Sequence, residues 1–218
     1  MTKKIKKAAP LALWLLLAMS GGCMDAYSYL FREQVFANAQ TGNILLLGVN
    51  LSTGNFAVCF RYFCPISAFV LGIVLAFVIC RVTAERVRAA KLLVVGTEIL
   101  VLFAVAFMPQ SLNVIANAMI SLACGMQLEC FGEFMGRRAA TTMCIGNLRS
   151  AVHNAMDFAF GKDKVHRKNA VFFAVTILFF TLGAVIGNLA VQRLGTYAIW
   201  CSCGLLLVCL GLIGVTTE

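Results

Sequence analysis

Long apolar runs, separated by short polar or charged segments, dominate the hydrophobic pattern of this 218-residue chain. Each run approaches the length of about 20 residues that an α-helix needs to cross a hydrocarbon core of about 30 Å. Backbone groups at that depth must be satisfied within the segment, which favours helices. The pattern predicts an all-α membrane protein with about six transmembrane helices, near residues 10–30, Pro65–Cys80, Leu92–Met108, Leu112–Phe131, Ala170–Val191 and Thr196–Val215.

Two further segments, Val35–Phe60 and Ala139–Phe160, are apolar but carry recurring polar residues. The first contains Thr41-Gly42-Asn43, which combines a residue type common at helix N-caps with a glycine that permits close approach. Several residues recur after an offset of 104 positions. The matching pairs are Gly21 with Gly125, Asp25 with Glu129, Gly42-Asn43 with Gly146-Asn147, and Asn50 with Asn154.

This repetition predicts an internal duplication within one integral membrane domain, residues 1–218. The first structural repeat would cover residues 10–108 and the second residues 112–215, with a short hinge at Pro109–Ser111. The lysine-rich start followed by apolar residues also resembles a secretory signal peptide. Because Gly21 and Asp25 take part in the repeat, we expect residues 10–30 to remain in the protein as a transmembrane helix.

Composition excludes an ordinary soluble domain. Hydrophobic residues make up 61% of the chain and charged residues 12%, whereas soluble domains carry about 25% charged residues. The net charge of +9 could suggest nucleic acid, but the basic residues lie in short loops between apolar runs, as in membrane proteins that obey the positive-inside rule. We therefore expect the lipid bilayer as a partner and no nucleic acid.

The distribution of Lys and Arg discriminates between two topologies with a cytoplasmic N-terminus. If both polar segments cross the membrane, eight spans result, with nine basic residues inside and eight outside. If both segments enter the membrane and return, six spans remain, with fourteen basic residues inside and three outside. The three outside are Arg32, Arg61 and Arg193; the fourteen inside are Lys3, Lys4, Lys6, Lys7, Arg81, Arg86, Arg88, Lys91, Arg137, Arg138, Lys162, Lys164, Arg167 and Lys168.

The six-span topology is favoured, and it places both termini on the cytoplasmic side of a bacterial inner membrane. Three crossings per half give the two halves opposite orientations. We therefore expect a pseudo-symmetric inverted repeat with two re-entrant or broken polar helices. In such repeats the broken helices meet near the bilayer midplane and form a binding site.

Asp25 and Glu129 are the first candidates for that site. A carboxylate in a transmembrane helix costs about 2.5 kcal/mol or more at the bilayer centre and commonly marks a functional residue. The pair could bind a proton or a cation, or balance the charge of a cationic solute. Alternatively, each carboxylate accepts hydrogen bonds from the Gly-Asn turn of its own half and only stabilises the fold.

The tips of the polar segments supply the other candidates. Helix N-termini there would offer free backbone N–H groups to an anion or a carbonyl oxygen. Alternatively, Thr41 and the asparagines satisfy these groups and nothing binds. The predicted substrate-binding residues are Asp25, Asn38, Thr41, Gly42, Asn43, Gln127, Glu129, Gly146 and Asn147.

Other polar residues give weaker signals. Glu98, within an apolar run, is expected to pair with a basic residue of the Arg81–Lys91 loop. His153 has only the loop residue His166 as a second histidine, and the ten cysteines show no Cys-x-x-Cys spacing, so we expect no metal and no cofactor. Standard catalytic motifs are absent, and no enzyme is expected. The motif Gly183-x-x-x-Gly187 would allow close helix packing, including that of a homo-oligomer.

The stretch Gly22-Cys23-Met24-Asp25-Ala26, followed by Phe36-Ala37-Asn38-Ala39-Gln40-Thr41-Gly42-Asn43, resembles the motif of the YoaK-type (DUF1275) family of uncharacterised bacterial integral membrane proteins. A weaker element is Gly125-Met126-Gln127. The resemblance covers essentially the whole chain and implies an inner-membrane protein of this length and topology, without a function. Gln40 stands where the family often has a hydrophobic residue, and Cys144-Ile145 precedes the second Gly-Asn, so the two tips differ chemically.

Two function hypotheses from different classes follow. The first is a transporter or permease for an unknown small solute or ion, with a polar site at the midplane. The second is a membrane scaffold or sensor whose polar core is structural. An intramembrane enzyme ranks third, because the sequence signals no nucleophile–base pair.

Overall fold

The computed structural model describes residues 2–83, 86–134 and 136–215, with side chains from Leu11 onward except that of Arg138. Glu85 of the charged loop therefore lies outside the described residues, and so do the side chains of the four N-terminal lysines. The helices are α1 (Thr2–Phe31), α2 (Gln40–Ser52), α3 (Phe56–Val82), α4 (Val87–Val105), α5 (Asn113–Cys130), α6 (Cys144–Gly161), α7 (Lys164–Leu194) and α8 (Trp200–Val215), with 3-10 turns at Gln110–Leu112 and Gly195–Ile199. A two-stranded antiparallel hairpin, β1 (Glu133–Phe134) and β2 (Arg137–Arg138), precedes α6.

Large apolar side chains cover the outer surface of the bundle. On α3, for example, Phe63 is 54% exposed and Phe77 57% exposed, a pattern that suits lipid rather than water. Four helical stretches among the described residues are long and apolar enough to span a membrane: Leu11–Phe31, Phe56–Val82, Gln110–Cys130 and Lys164–Val215. The chain is an all-α membrane protein, as the apolar pattern predicts.

Two predicted boundaries are wrong. The helix expected at Pro65 begins at Phe56, so Pro65 is buried inside α3 and not at its start. The helix expected from Ala139 begins at Cys144, because the chain first forms the hairpin and turns at Gly136, whose φ of +76° favours glycine. The first polar segment is likewise divided, into an irregular stretch before Gln40, the short helix α2 and the first turns of α3.

The helices pack in a crossed order. The first helix, α1, packs against α7 and α8, and α5 packs against α3 and α4. The short helix α2 lies on α3, α6 lies on α7, and α4 contacts α8. The centre of the molecule is therefore built from α1, α4, α5 and α8, and its buried apolar core includes Leu17, Leu102, Ile120 and Leu206.

Glycines allow the closest helix contacts. A Cβ atom at Gly183 of α7 would overlap the carbonyl oxygen of Met19 of α1, and one at Gly72 of α3 would overlap that of Leu122 of α5. Gly187 faces Cys23 of α1 in the same way. The motif Gly183-x-x-x-Gly187 thus packs against a helix of the same chain.

One end of the bundle is organised around Arg32, directly after α1. Its guanidinium group is fully buried and donates to the carbonyl oxygens of Val105 and Met108 at the end of α4. It also donates to Asn113 Oδ1 at the start of α5, 3.0 Å away, and to the hydroxyl of Tyr27. A cation at the C-terminus of a helix is favourable because the helix dipole is negative there. Arg32 thus joins α1, α4 and α5.

Candidate functional site

After Arg32 the chain turns back along α1 towards its middle. The backbone N–H of Ala37 donates to Ser28 Oγ (3.2 Å), and that of Asn38 donates to Asp25 Oδ1 (2.8 Å). The Asn38 side-chain Nδ2 then reaches the carbonyl oxygen of Gly21 at 3.2 Å. These contacts step down α1 by about one turn each, so α2 begins beside the middle of α1.

Asp25 closes the N-terminus of α2 from outside that helix. Asp25 is 9% exposed, and its carboxylate accepts from the backbone N–H of Asn38. Within the described chain, α2 itself provides no side-chain cap. A carboxylate at a helix N-terminus is stabilised both by the free N–H groups and by the helix dipole. Asp25 therefore holds the stretch that leads into α2, and contact of its carboxylate with a solute stays a prediction.

Asn43 and Asn147 close equivalent loops in the two halves through hydrogen bonds of their side chains to the backbone. Asn43 accepts from the backbone N–H of Phe36 (3.0 Å) and donates to its carbonyl oxygen (2.7 Å). Asn147 makes the same pair of bonds with Ala140, at 3.5 and 2.7 Å. Both asparagines are buried and lie seven residues after their partner. Each asparagine thus holds the stretch before its helix. The N-cap residues, Ala39 and Met143, make no side-chain capping bond, and binding at these helix ends stays a prediction.

Both polar segments meet α1 on one face. Leu17, Gly21 and Asp25 are four residues apart and so lie on the same side of the helix. Gln127 of α5 donates to the carbonyl oxygen of Leu17 (3.4 Å) and to Thr141 Oγ1 (2.8 Å). The carbonyl oxygen of Gly21 accepts from Asn38. A Cβ atom added at Gly21 would lie 2.6 Å from the methyl group of Thr142. The approaches to α2 and α6 are therefore brought together at the centre of α1.

This central region contains buried oxygen atoms that have no hydrogen-bond partner among the described residues. At the meeting point itself they are Asn38 Oδ1, Gln127 Oε1 and Thr142 Oγ1. Elsewhere among the described residues, Ser20 Oγ of α1, Ser121 Oγ and Asn117 Oδ1 of α5 and both carboxyl oxygens of Glu98 of α4 are also without a partner. The amide nitrogens of Asn38, Asn117 and Gln127, in contrast, all donate. Buried polar atoms are nearly always paired in folded proteins, and an unpaired group costs about 1–3 kcal/mol. The region is therefore suited to a ligand that donates hydrogen bonds or carries positive charge.

The structure separates the other predicted residues from this centre. Thr41 lies in the first turn of α2 and is exposed, so it caps nothing. Gly42 packs against the ring of Phe36, and the space around Gly146 is open. Glu129 is exposed on α5 and is not brought beside Asp25.

The position of Glu129 follows from a one-residue difference between the repeats. Gly22 contacts the carbonyl of Phe180, and Gly125 makes the same contact with Phe69. These two glycines differ by 103 positions and not 104, so Asp25 of α1 corresponds to Leu128 of α5. One residue rotates a side chain by about 100° around a helix, which turns Glu129 to the outer surface.

Glu98 is the residue whose role the sequence interpretation missed. It is fully buried in α4 and makes no ion pair among the described residues, so the expected pairing with the Arg81–Lys91 loop is wrong. The ammonium group of Lys91 lies over the ring of Phe131 instead, at 5.8 Å. The sequence signal was the series Asn113, Asn117, Ser121, Cys124 and Gln127 at spacings of three and four, which marks one buried polar stripe on the neighbouring helix α5.

The cysteines contribute packing groups. All ten lie in described segments and are unpaired. Cys124 contacts the sulfur of Met24 at 3.8 Å. Among the described residues no three His, Cys, Asp or Glu side chains come together as a metal site would require.

Comparison with known proteins places the chain in a family. A family model described as "Protein of unknown function (DUF1275)" matches residues 13–212. The UPF0700 transmembrane protein YoaK of Bacillus subtilis is 25% identical over 195 residues, which is 85% of each chain. No solved structure matches the chain. The chain belongs to the DUF1275 family of membrane proteins, as its N-terminal motif indicates.

Proposed function

We propose that this protein is a bacterial inner-membrane permease for a small solute or ion, with its binding site at the bilayer midplane. The observation that carries the proposal is the set of buried, unpartnered oxygen atoms where the approaches to α2 and α6 meet α1. Polar groups of this kind are costly inside a membrane and are usually retained for a function.

The paths of α2 and α6 support two re-entrant helices. The 13 residues of α2 measure about 20 Å, too short for a core of about 30 Å. Since α2 begins beside Asp25, and Arg61 in the second turn of α3 pairs with Glu33 at 3.0 Å, α2 leads back to the end of α1. In the second half, Arg137 of the hairpin, before α6, donates to Asn169 in the second turn of α7, after α6, at 2.7 Å. The chain therefore leaves α6 close to the hairpin from which it entered.

The two segments enter from opposite ends of α1, which supports an inverted repeat. Glu33 lies just beyond the C-terminus of α1, whereas Phe134 of the hairpin packs against Trp14, near the start of the apolar stretch Leu11–Phe31, with ring centroids 5.2 Å apart. In chain order α1 is equivalent to α5, α3 to α7 and α4 to α8. The contact of α1 with α7 therefore has its counterpart in that of α5 with α3, and the contact of α1 with α8 in that of α5 with α4. Six spans, two re-entrant helices and cytoplasmic termini account for this arrangement and for the charge distribution.

The free oxygen atoms define the solute class of the proposal. Carbonyl and hydroxyl oxygens accept hydrogen bonds and coordinate cations, so the solute is a small cation or a donor-rich neutral molecule. An open depression of about 390 Å³ lies on the surface at the C-terminal end of α1, lined by Tyr29, Leu30, Glu33, Gln34 and Arg61. No enzymatic step is part of the proposal.

Thr142→Val tests the proposal. It keeps the methyl contact with Gly21 and removes only a buried hydroxyl without a described partner, so thermal stability should be equal or higher. In proteoliposomes supplied with sodium, potassium, methylammonium or glycerol, the wild type should transport one of these probes. The flux of that probe through the variant should be about tenfold lower, which is equivalent to about 1.4 kcal/mol of interaction with the solute.

The matched control is Thr181→Val, an exposed threonine on α7, which should leave the flux unchanged. Undiminished flux in a stable Thr142→Val variant would contradict a solute site at Thr142. Absence of wild-type flux for all four probes would favour the second candidate, a scaffold or sensor. The observation in favour of that candidate is that Asp25, Asn43 and Asn147 all bond the backbone of the same chain.

A further inference from the structure

Glu98 lies outside the contacts that hold the two polar segments. It is fully buried on α4, on the side that packs against α5 and α8. The titratable groups that interact with it electrostatically are Cys124 and Cys130 of α5 and Cys203 and Cys209 of α8. No basic side chain among the described residues forms an ion pair with its carboxyl group.

An ionised carboxylate in such surroundings is unfavourable. Burial of an unpaired charge costs several kcal/mol even after relaxation, and the neighbours of Glu98 supply neither a cation nor a hydrogen-bond donor to its oxygens. The carboxyl group must therefore hold a proton or bind a positively charged ligand.

The surrounding groups favour the proton. Hard cations such as Ca²⁺ and Mg²⁺ take six or more oxygen ligands. The titratable groups near Glu98 are thiols, and the residues that flank it on the same side of α4, Val95 and Leu102, are buried and apolar. A soft metal would need several ligands in one place, and no cluster of three is present among the described residues. A proton needs only one carboxyl oxygen.

Cys124 connects Glu98 to the meeting point of the two polar segments. Its sulfur atom lies 3.8 Å from that of Met24, the residue next to Asp25, and α5 also packs against α4, which carries Glu98. One turn earlier on α5, Ser121 presents a buried hydroxyl without a described partner. This face of α5 therefore lies between Glu98 and the residues that lead into α2.

We propose that Glu98 is a proton-binding site that couples proton movement to the binding of solute at the centre of the bundle; the coupling rests on the proposed permease function. Binding of the proton forms one O–H bond and neutralises the carboxylate, and release restores the negative charge, with no exchange of electrons. A solute with positive charge at the centre then binds more tightly when Glu98 is ionised, so that solute and proton compete through their charges.

Infrared difference spectroscopy of the purified full-length protein in nanodiscs tests the proton site without a solute. The wild type should show the carbonyl stretch of a protonated carboxyl group at neutral pH, and Glu98→Gln should lack it. Glu133→Gln, which changes an exposed carboxylate of the hairpin, is the matched control and should retain the band. Persistence of the band in Glu98→Gln would overturn the assignment.

Glu98→Leu is a second variant in case Glu98→Gln folds poorly, since a buried apolar side chain needs no hydrogen bonds. Its thermal stability should equal or exceed that of the wild type, and it too should lack the band.

Solute flux in proteoliposomes tests the coupling. An imposed pH gradient should accelerate wild-type flux of the transported probe at least about tenfold, equivalent to about 1.4 kcal/mol, and should have no effect on Glu98→Gln. A flux that does not change with the pH gradient would contradict the coupling but not the permease function. A Glu98 band in a protein that moves no probe would remove the permease function and leave the proton site standing.

Discussion

Arg32 is a buried cation whose guanidinium group is bonded to uncharged oxygens. Carbonyl and hydroxyl groups from α1, α4, α5 and the turn before α8 surround it, and the rings of Tyr27 and Phe31 lie within 5.5 Å of it. Such a site depends on the planar fork of arginine, which directs five N–H groups to fixed positions. The ammonium group of lysine has three donors and a different geometry.

Arg32→Lys should therefore destabilise the protein by about 3 kcal/mol, because buried carbonyl oxygens at the end of α4 lose their donors. The measurement is the thermal unfolding midpoint in detergent. Arg61→Lys is the control: its pair with Glu33 is about one-third exposed, and such pairs contribute about 1 kcal/mol or less. Equal shifts for the two variants would contradict the role of Arg32.

Sequence alone predicted part of the central region. Polar residues in apolar runs are costly, and for that reason the sequence indicates Asp25, Asn38 and Gln127 as members of one site. The structure places all three on or beside one face of α1. Their contact with a solute stays a prediction. Glu129 and Thr41 were selected on residue type, and only helix phase, which depends on packing, shows that they point outward.

At the scale of helices, the two closest crossings depend on glycines at equivalent places. Gly22 and Gly183 let α1 approach α7, and Gly125 and Gly72 let α5 approach α3. In a membrane, where lipid tails are as apolar as leucine, such close packing provides much of the attraction between helices. An added methyl group forces the backbones apart.

Gly183→Ala should lower the thermal midpoint in detergent by an amount equivalent to about 1–3 kcal/mol, the usual cost of overpacking. Gly204→Ala, in α8, is the matched control, because no atom lies within 4 Å of its added Cβ and alanine favours the helix by up to about 1 kcal/mol. A Gly183→Ala variant as stable as Gly204→Ala would show that the α1–α7 crossing tolerates wider spacing.

Helix existence was predictable from the apolar runs, whereas helix starts were not. Asp25 of α1 holds the residues before α2, and Asn43 and Asn147 each bond the backbone seven residues earlier in the chain. Helix propensity, which describes single residues, does not report such contacts. The hairpin at Glu133–Arg138 is too short to give an alternating pattern.

At the scale of the whole molecule, the six-span and eight-span topologies differ in the side on which the loop after α3 lies. Single cysteines at Arg86, Lys164 and Ser52, in a background without the ten native cysteines, should distinguish them. With a membrane-impermeant thiol reagent added outside, Ser52→Cys should be labelled, and Arg86→Cys and Lys164→Cys should be protected. All three positions are exposed, so access is controlled by the bilayer.

Labelling of Arg86→Cys from outside would contradict the six-span topology, because it would make both polar segments cross the membrane. Permeabilised membranes provide the control: all three variants should then react at similar rates. Lys164→Cys is protected in both topologies and reports leakage.

The crossed packing order bears on how the protein is made. Helix α1 has its main partners in α7 and α8, which the ribosome synthesises after α2 to α6. Until then the surface of α1 around Gly22, which packs against Phe180 and Ala184 of α7, lacks its partner helix. Assembly of the bundle is therefore completed only when α7 and α8 have joined it, and a nascent chain that stops before Lys164 leaves this surface of α1 uncovered in the bilayer.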